Sequence, residues 1–267
     1  MGRALLLTIA LALALAAPAA AAPSWAPAGS AAVHPGVMTF TDGSGQCTSN
    51  FVFYDATDVY IGQAAHCSSL GAANETNGCT TPSLPLGTAV EVDGASRPGT
   101  MVYNSWLAMQ QANEGDDDTC QYNDLALVRL DPADHGKVNP SIPFWGGPTG
   151  VTDTVENLSD VLSYGNSSLR LGIAALSPKQ GTQISQDSGG WNHHVYTVTP
   201  GIPGDSGSAF VDDAGRAFGT LSTVQLAPAP ASNGVGDVSR EIDYMRSHGG
   251  PAATLAEGTE AFSGALP

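Results

Sequence analysis

Three short segments carry residue types that can act together as a nucleophilic site. Gln63-Ala64-Ala65-His66-Cys67 sets a histidine just after a strand-like run. Asn123-Asp124-Leu125-Ala126-Leu127 sets an acid at the head of an apolar run. Gly204-Asp205-Ser206-Gly207-Ser208 sets a serine between glycines, ahead of another strand-like run. A serine hydroxyl is a weak nucleophile near neutral pH. It needs a base within hydrogen-bond reach, and that base needs a partner to fix its tautomer. Ser206, His66 and Asp124 have the side chains for those three roles. Gly204 and Gly207 permit a tight turn that exposes the serine. The backbone N–H groups of Gly204 and Ser206 can then converge on a tetrahedral oxyanion, an effect worth about 3 kcal/mol per donor. Singly, each residue has a plainer reading: a surface or core histidine, a strand-capping acid, a turn serine. Together in one chain they favour a catalytic triad.

Other candidate chemistry is weaker. Gly204 to Ser208 superficially matches G-x-S-x-G, but Ser208 stands where the second glycine is required. That motif also needs the chain order serine, acid, histidine, and Asp237 with His248 at one helix does not supply it. His193-His194 lacks an obvious metal partner. Neighbours on a strand face opposite sides, so one is expected exposed and the other packed. The acids of Glu114-Gly115-Asp116-Asp117-Asp118 could attract calcium but read as a solvated loop. No CxxC pair or close histidine spacing supports zinc, and no metal or cofactor is expected. Asn74-Glu75-Thr76 and Asn157-Leu158-Ser159 match the glycosylation acceptor pattern.

The elements that must hold these segments read as short strands. Cys47 to Tyr54, Val59 to Gln63, Ala89 to Val92, Thr100 to Trp106 and Leu125 to Leu130 are the candidates in the first half. Val161 to Tyr164, Arg170 to Leu176, His194 to Val198, Ser208 to Val211 and Arg216 to Thr223 follow in the second. Ser239 to His248 is the one convincing helix, with Ile242 and Met245 on one side and Gly249-Gly250-Pro251 ending it. The composition agrees with an all-β fold: 32 Gly and 18 Pro punctuate many apolar runs, and 42% hydrophobic content supports a packed core despite only 13% charged residues.

Met1 to Ala22 has a charged start, a Leu/Ala run and a small-residue end, the pattern of a secretory signal peptide. Residues 23–32 read as a mobile lead-in, 33–250 as the folded domain, and 251–267 as a loose tail. The formal charge of −16 becomes one unit more negative once Arg3 leaves with the leader. So acidic a chain repels phosphate backbones, which argues against a nucleic-acid partner. No second long apolar stretch exists, so no membrane association is expected after signal removal, and the mature protein reads as a monomer. Cys47, Cys67, Cys79 and Cys120, an even set behind a signal peptide, imply disulfides with three possible connectivities.

The order histidine, acid, serine, with Ala64-Ala65-His66-Cys67, Asp124-Leu125-Ala126-Leu127 and Gly204-Asp205-Ser206-Gly207, resembles the chymotrypsin-like serine peptidases, in details their secreted bacterial branch. The resemblance spans Val33 to about Gly250. It implies two antiparallel six-stranded β-barrels with a C-terminal α-helix and the triad in the cleft between them. It also implies a Cys47–Cys67 disulfide. Cys79 and Cys120, which both lie between the histidine and aspartate segments, are then expected to pair. The implied activity is hydrolysis of peptide bonds in a peptide or protein substrate through an acyl-enzyme. The alternatives are a non-catalytic binding module on the same fold and an esterase-like hydrolase.

The family's specificity pocket would have Pro200 at its floor and Ser222, Thr223 and Val224 along its edge. With no acid at 200, and Val224 in place of a glycine, the expected preference is for small or medium apolar side chains rather than Lys or Arg. Many members are activated by a cut after Arg or Lys, which frees an amine to pair with the acid before the serine. This chain has neither residue between Arg3 and Arg97. Asp205 is therefore expected to be satisfied by internal donors, in a chain active after signal removal alone.

Overall fold

The computed structural model describes residues 22–225, 228 and 230–266, so nearly all of the expected leader lies outside the described residues. Seven strands build the first half: β1 (Met38–Thr41), β2 (Gln46–Thr48), β3 (Val52–Tyr54), β4 (Val59–Ala64), β5 (Ala89–Val92), β6 (Gly99–Asn104) and β7 (Leu125–Arg129). Two short helices, α1 (Ser105–Ala112) and α2 (Asp117–Tyr122), lie between β6 and β7. Six strands build the second half: β8 (Asp160–Tyr164), β9 (Pro178–Asp187), β10 (Asn192–Thr197), β11 (Ala209–Asp212), β12 (Ala217–Gln225) and β13 (Ser232–Asp237). Helix α3 (Val238–Ser247) and the two-residue β14 (Thr254–Leu255) follow.

The second half closes into the expected six-stranded barrel, in the order β10-β13-β12-β11-β8-β9. The first half differs in form. It is an eight-stranded sheet ordered β14-β3-β4-β7-β6-β5-β1-β2 rather than a closed six-stranded barrel. The reason is a bend. Gln46 to Tyr54 is one stretch whose halves serve opposite ends of the sheet, β2 pairing with β1 and β3 with β4. Across the bend, the Asn50 N–H donates to the Gly62 carbonyl at 2.8 Å and the Gly62 N–H to the Phe51 carbonyl at 2.9 Å. With β2 and β3 counted as one bent strand, six strands remain, plus β14 from the tail.

Each half has its own apolar core. Ile61, Met101, Trp106 and Val128 belong to the first, and Val161, Val195, Phe210 and Phe218 to the second. A third cluster joins them through Phe51, Leu125 and Leu127 from one side and Leu162, Val211, Ile242 and Met245 from the other. Each such side chain contributes about 1.5–3 kcal/mol on burial. Leu125 to Val128 are fully buried, so alternate residues of β7 serve two different cores. Both expected disulfides are present, Cys47–Cys67 and Cys79–Cys120.

Several elements depart from the sequence pattern. The strand expected over Thr100 to Trp106 stops at Asn104, whose side chain caps α1 by accepting from the Leu107 N–H at 3.2 Å. Arg170 to Leu176 is not a strand: Leu171 adopts φ 54° and two 3₁₀ turns replace it. Its apolar residues Leu171 and Ile173 face solvent. Strand β9 is long but mostly polar, and β13 reads Ser-Asn-Gly-Val-Gly-Asp, turn chemistry by composition; neither shows apolar alternation. The ends are packed rather than loose. Trp25 lies edge-on to Tyr54, and the Ala26 N–H donates to the Val138 carbonyl. In the tail, β14 pairs with β3, and the Thr259 and Glu260 N–H groups both donate to the Ser141 hydroxyl at 2.9 Å. No described helix is long and apolar enough to cross a membrane.

Candidate active site

Asp124 sits where β7 begins, His66 on a 3₁₀ turn after β4, and Ser206 in the loop before β11. Strands β4 and β7 are paired, with Ala64 opposite Leu125, so His66 and Asp124 leave neighbouring strand ends side by side. The Asp124 carboxylate is buried and accepts three hydrogen bonds. The His66 N–H reaches Oδ1 at 2.9 Å, the His66 ring Nδ1 reaches Oδ2 at 2.7 Å, and the Ser222 hydroxyl reaches Oδ2 at 2.6 Å. The pair holds the imidazole with Nδ1 toward the acid, so Nε2 is the ring nitrogen free of the carboxylate.

The backbone around both residues is braced as well. The Ser105 hydroxyl donates to the Asn123 carbonyl at 2.8 Å and accepts from the Leu125 N–H at 3.2 Å, holding Asp124 from both flanks. Asn104 Nδ2 donates to the Ala65 carbonyl at 3.0 Å and to the Ser68 hydroxyl at 2.8 Å, bracing the turn that carries His66. The Trp106 ring, fully buried, lies behind His66 with centroids 6.4 Å apart.

The Ser206 loop packs on the first half of the molecule. The Thr48 N–H donates to the Ser206 carbonyl at 2.8 Å. The Thr48 hydroxyl and Gln46 Nε2 donate to the Gly204 carbonyl at 2.8 and 2.9 Å. Gly204 and Gly207 adopt φ of 93° and 88°. A Cβ at Gly207 would lie 2.4 Å from the Thr48 carbonyl oxygen and 2.8 Å from the Ala64 nitrogen, so only glycine brings the loop this close to the segment leading into His66. Among the described residues, nothing bonds to the N–H of Gly204 or Ser206, the two donors expected to form the oxyanion hole. Ser206 Oγ and His66 Nε2 likewise have no hydrogen bond, to each other or elsewhere among the described residues.

Asp205, buried beneath the loop, is held by internal donors. Its Oδ2 pairs with Arg170 at 2.6 Å and with the fully buried Lys179 at 3.0 Å, and the Ile202 N–H adds a bond at 3.1 Å. Its Oδ1 accepts from the Ser167 N–H at 3.0 Å. Neither cation carries a recognisable local pattern, and only folding brings them to Asp205.

The candidate pocket residues divide. Ser222 turns toward Asp124 rather than lining a pocket, while Thr223 and Val224 continue along β12 beside β13, with Val224 55% exposed. Pro200 is half-buried, and its carbonyl accepts from Arg170 at 3.0 Å and Lys179 at 3.4 Å. Buried Asn233 bridges the two walls: its Oδ1 accepts from the Gly201 N–H at 2.8 Å and its Nδ2 donates to the Thr223 carbonyl at 3.1 Å. Two clefts elsewhere, of about 340 and 450 Å³, are lined by none of the four candidate pocket residues, although Arg170 borders the smaller.

The other candidates are structural. His193 is fully buried, bonded to Gln183 and Asp237; His194 is only 12% exposed and bridges Asp187 and Gln225, not the exposed neighbour expected. Glu114 and Asp116 spend their carboxylates on backbone N–H groups, Asp116 capping α2. The cluster of Cys47, His66 and Cys67 is a disulfide beside a histidine, with no thiolate to offer a metal.

No family model matches the sequence and no curated protein is significantly similar to it. Solved structures do share the fold. Protease A of Thermobifida fusca superposes with a TM-score of 0.55 at 17% identity, covering 85% of this chain and 100% of its own. The chymotrypsin of Cellulomonas bogoriensis gives 0.51 at 16%, covering 84% and 98%. A glutamic-acid-specific serine protease, described as using a histidine triad in substrate binding, gives 0.53 at 15%, covering 84% and 100%.

Electrostatics prepare His66. Burial disfavours its charged form, but the negative charge of Asp124 and the hydrogen bond from Nδ1 outweigh that, so its pKa lies above the ordinary 6.5. Followed by NMR, the His66 ring should titrate with a midpoint above 6.5. A midpoint below it would mean that burial outweighs Asp124.

Proposed function

We propose, from a chain with the chymotrypsin-like serine protease fold, that this protein is a secreted serine endopeptidase working through an acyl-enzyme. The observation that carries the reading is the 2.7 Å contact from His66 Nδ1 to a buried Asp124 carboxylate, next to a serine loop with two unused N–H donors. In the proposed reaction Ser206 Oγ attacks the scissile carbonyl carbon while His66 Nε2 takes its proton. Asp124 stabilises the imidazolium and keeps Nδ1 as the donor. The N–H groups of Gly204 and Ser206 bind the oxyanion. The tetrahedral centre collapses, His66 protonates the departing amine, and the amine leaves behind an ester on Ser206. Water, deprotonated by His66, then attacks that ester and restores the serine. Secretion is supported by the leader pattern and by two disulfides, which persist in oxidising compartments.

Because His66 must be neutral to accept the proton, activity should fall as pH drops through its raised pKa. The Arg170 and Lys179 contacts support a site formed without a second cut, since Asp205 already has two cations. A fluorescent phosphonate should label the wild type at Ser206, and Ser206→Ala should abolish labelling. Folded wild-type protein that resists labelling would refute the enzyme and leave a binding module.

Asn233 supports a preference for small side chains before the scissile bond. It ties Gly201 to Thr223, the two segments expected to wall the pocket, and a Cβ at Gly201 would already lie 2.8 Å from Leu221 and 2.9 Å from Asn233. We expect Ala or Val at that position to be cleaved about tenfold or more faster than Phe, by kcat/KM. Asn233→Gly should narrow the gap. A wild-type preference for Phe, Lys or Arg would contradict this assignment.

A further inference from the structure

Glu241 lies on α3, after the second barrel, yet its carboxyl is fully buried directly behind Asp124. The Asp124 N–H donates to Glu241 Oε1 at 2.9 Å, and the Thr220 hydroxyl pairs with Oε2 at 3.0 Å. Thr220 stands two residues before Ser222 on β12, and Ser222 bonds the Asp124 carboxylate. A closed ring results: the Asp124 backbone to Glu241, Glu241 to Thr220, along β12 to Ser222, and back to the Asp124 side chain. Asn50, from the bend in the first half, reaches Thr220 Oγ1 at 3.4 Å. The backbone is shaped around the carboxyl too, since a Cβ at Gly236 would lie 2.7 Å from Glu241 Oε1.

We propose that Glu241 is a positioning residue of the triad, fixing the Asp124 backbone from the second barrel so that Asp124 meets His66 at hydrogen-bond distance. This rests on the proposed function for its catalytic consequence, but not for its effect on His66. The titratable groups that face Glu241 are Asp124 just before β7, Asp237 capping the start of α3 and Tyr103 on β6. Burial pushes the Glu241 carboxyl well above the usual carboxylate range, and the hydrogen bond from Asp124 does not offset it. The Thr220 hydroxyl accepts from Asn50 Nδ2 and donates to Glu241 Oε2, so the carboxyl meets a fixed donor on each oxygen.

The test uses Glu241→Leu and Glu241→Gln, with the His66 titration read by NMR and kcat and KM by peptide hydrolysis. Glu241→Leu removes the acceptor for the Asp124 N–H. His66 should then titrate measurably lower, and kcat should fall about tenfold or more with KM within twofold, as for a small misplacement of a catalytic group. Glu241→Gln keeps an oxygen acceptor for the Asp124 N–H and should restore both the titration and kcat to within about threefold. A folded Glu241→Leu protein with the wild-type His66 titration overturns the proposal, whatever its melting temperature. Should Glu241→Leu fail to fold, Thr220→Val breaks the same ring. A lowered His66 titration there supports the proposal and an unchanged one overturns it. If wild type shows no Ser206-dependent hydrolysis, the proposed function fails, while the His66 titration still decides the role of Glu241.

Discussion

The molecule is organised around one buried carboxylate. Asp124 belongs to the first half by sequence, but its hydrogen bonds come from both. His66 donates to it twice from β4's end, and Ser222 donates from β12 of the closed barrel. Glu241 and Ser105 hold its backbone. An ion taken this far out of water is tolerated only when nearly all its lone pairs are used. That requirement explains why polar side chains cluster where an apolar interface would otherwise be simplest. The two halves cannot separate or rotate without costing the Asp124 carboxylate its Ser222 hydrogen bond and its backbone the Glu241 acceptor, so the constraint that orients the imidazole also registers the sheet against the barrel.

A second buried carboxylate follows the same rule with a different solution. Asp205 precedes the serine and needs a cation near it for the loop to keep its shape. Arg170, from a 3₁₀ turn, and Lys179, from β9, both supply one within the chain. The polar character of β9 gains a reason here: a lysine with no exposed surface can exist on it because Asp205 and the carbonyls of Thr199 and Pro200 surround its ammonium. The same two cations engage the Pro200 carbonyl, so the anchor of the serine loop and the wall of the proposed pocket are one unit.

What the sequence made legible was local. His66, Asp124 and Ser206 each sit in a short segment whose glycines, alanines or apolar neighbours announce a turn beside a strand. Four cysteines left three pairings open, and the resemblance to the chymotrypsin-like peptidases implied Cys47–Cys67, which leaves Cys79 with Cys120. The supports were hidden because their roles depend on distant partners. Glu241 looks like any helix acid; only the crossing of α3 behind β7 buries it. Strand β13 was illegible because Gly234 and Gly236 lie where neighbouring side chains leave no room for a Cβ, and glycine reads as turn. Arg170 to Leu176 misled in the other direction: its alternating apolar residues lack a partner strand, and Leu171 and Gly172 turn the backbone left-handed. The bent first sheet was expected as a closed barrel because the family resemblance implies one, and closure cannot be read from a strand pattern.

The central claim is that Asp124, held from both halves, makes His66 a base of fixed tautomer. Its most direct test is Asp124→Asn, which keeps the shape but replaces an acceptor facing His66 Nδ1 with an amide. Steady-state peptide hydrolysis by the folded variant should show kcat lowered by about 10⁴ with KM little changed. A kcat within tenfold of wild type would contradict the account.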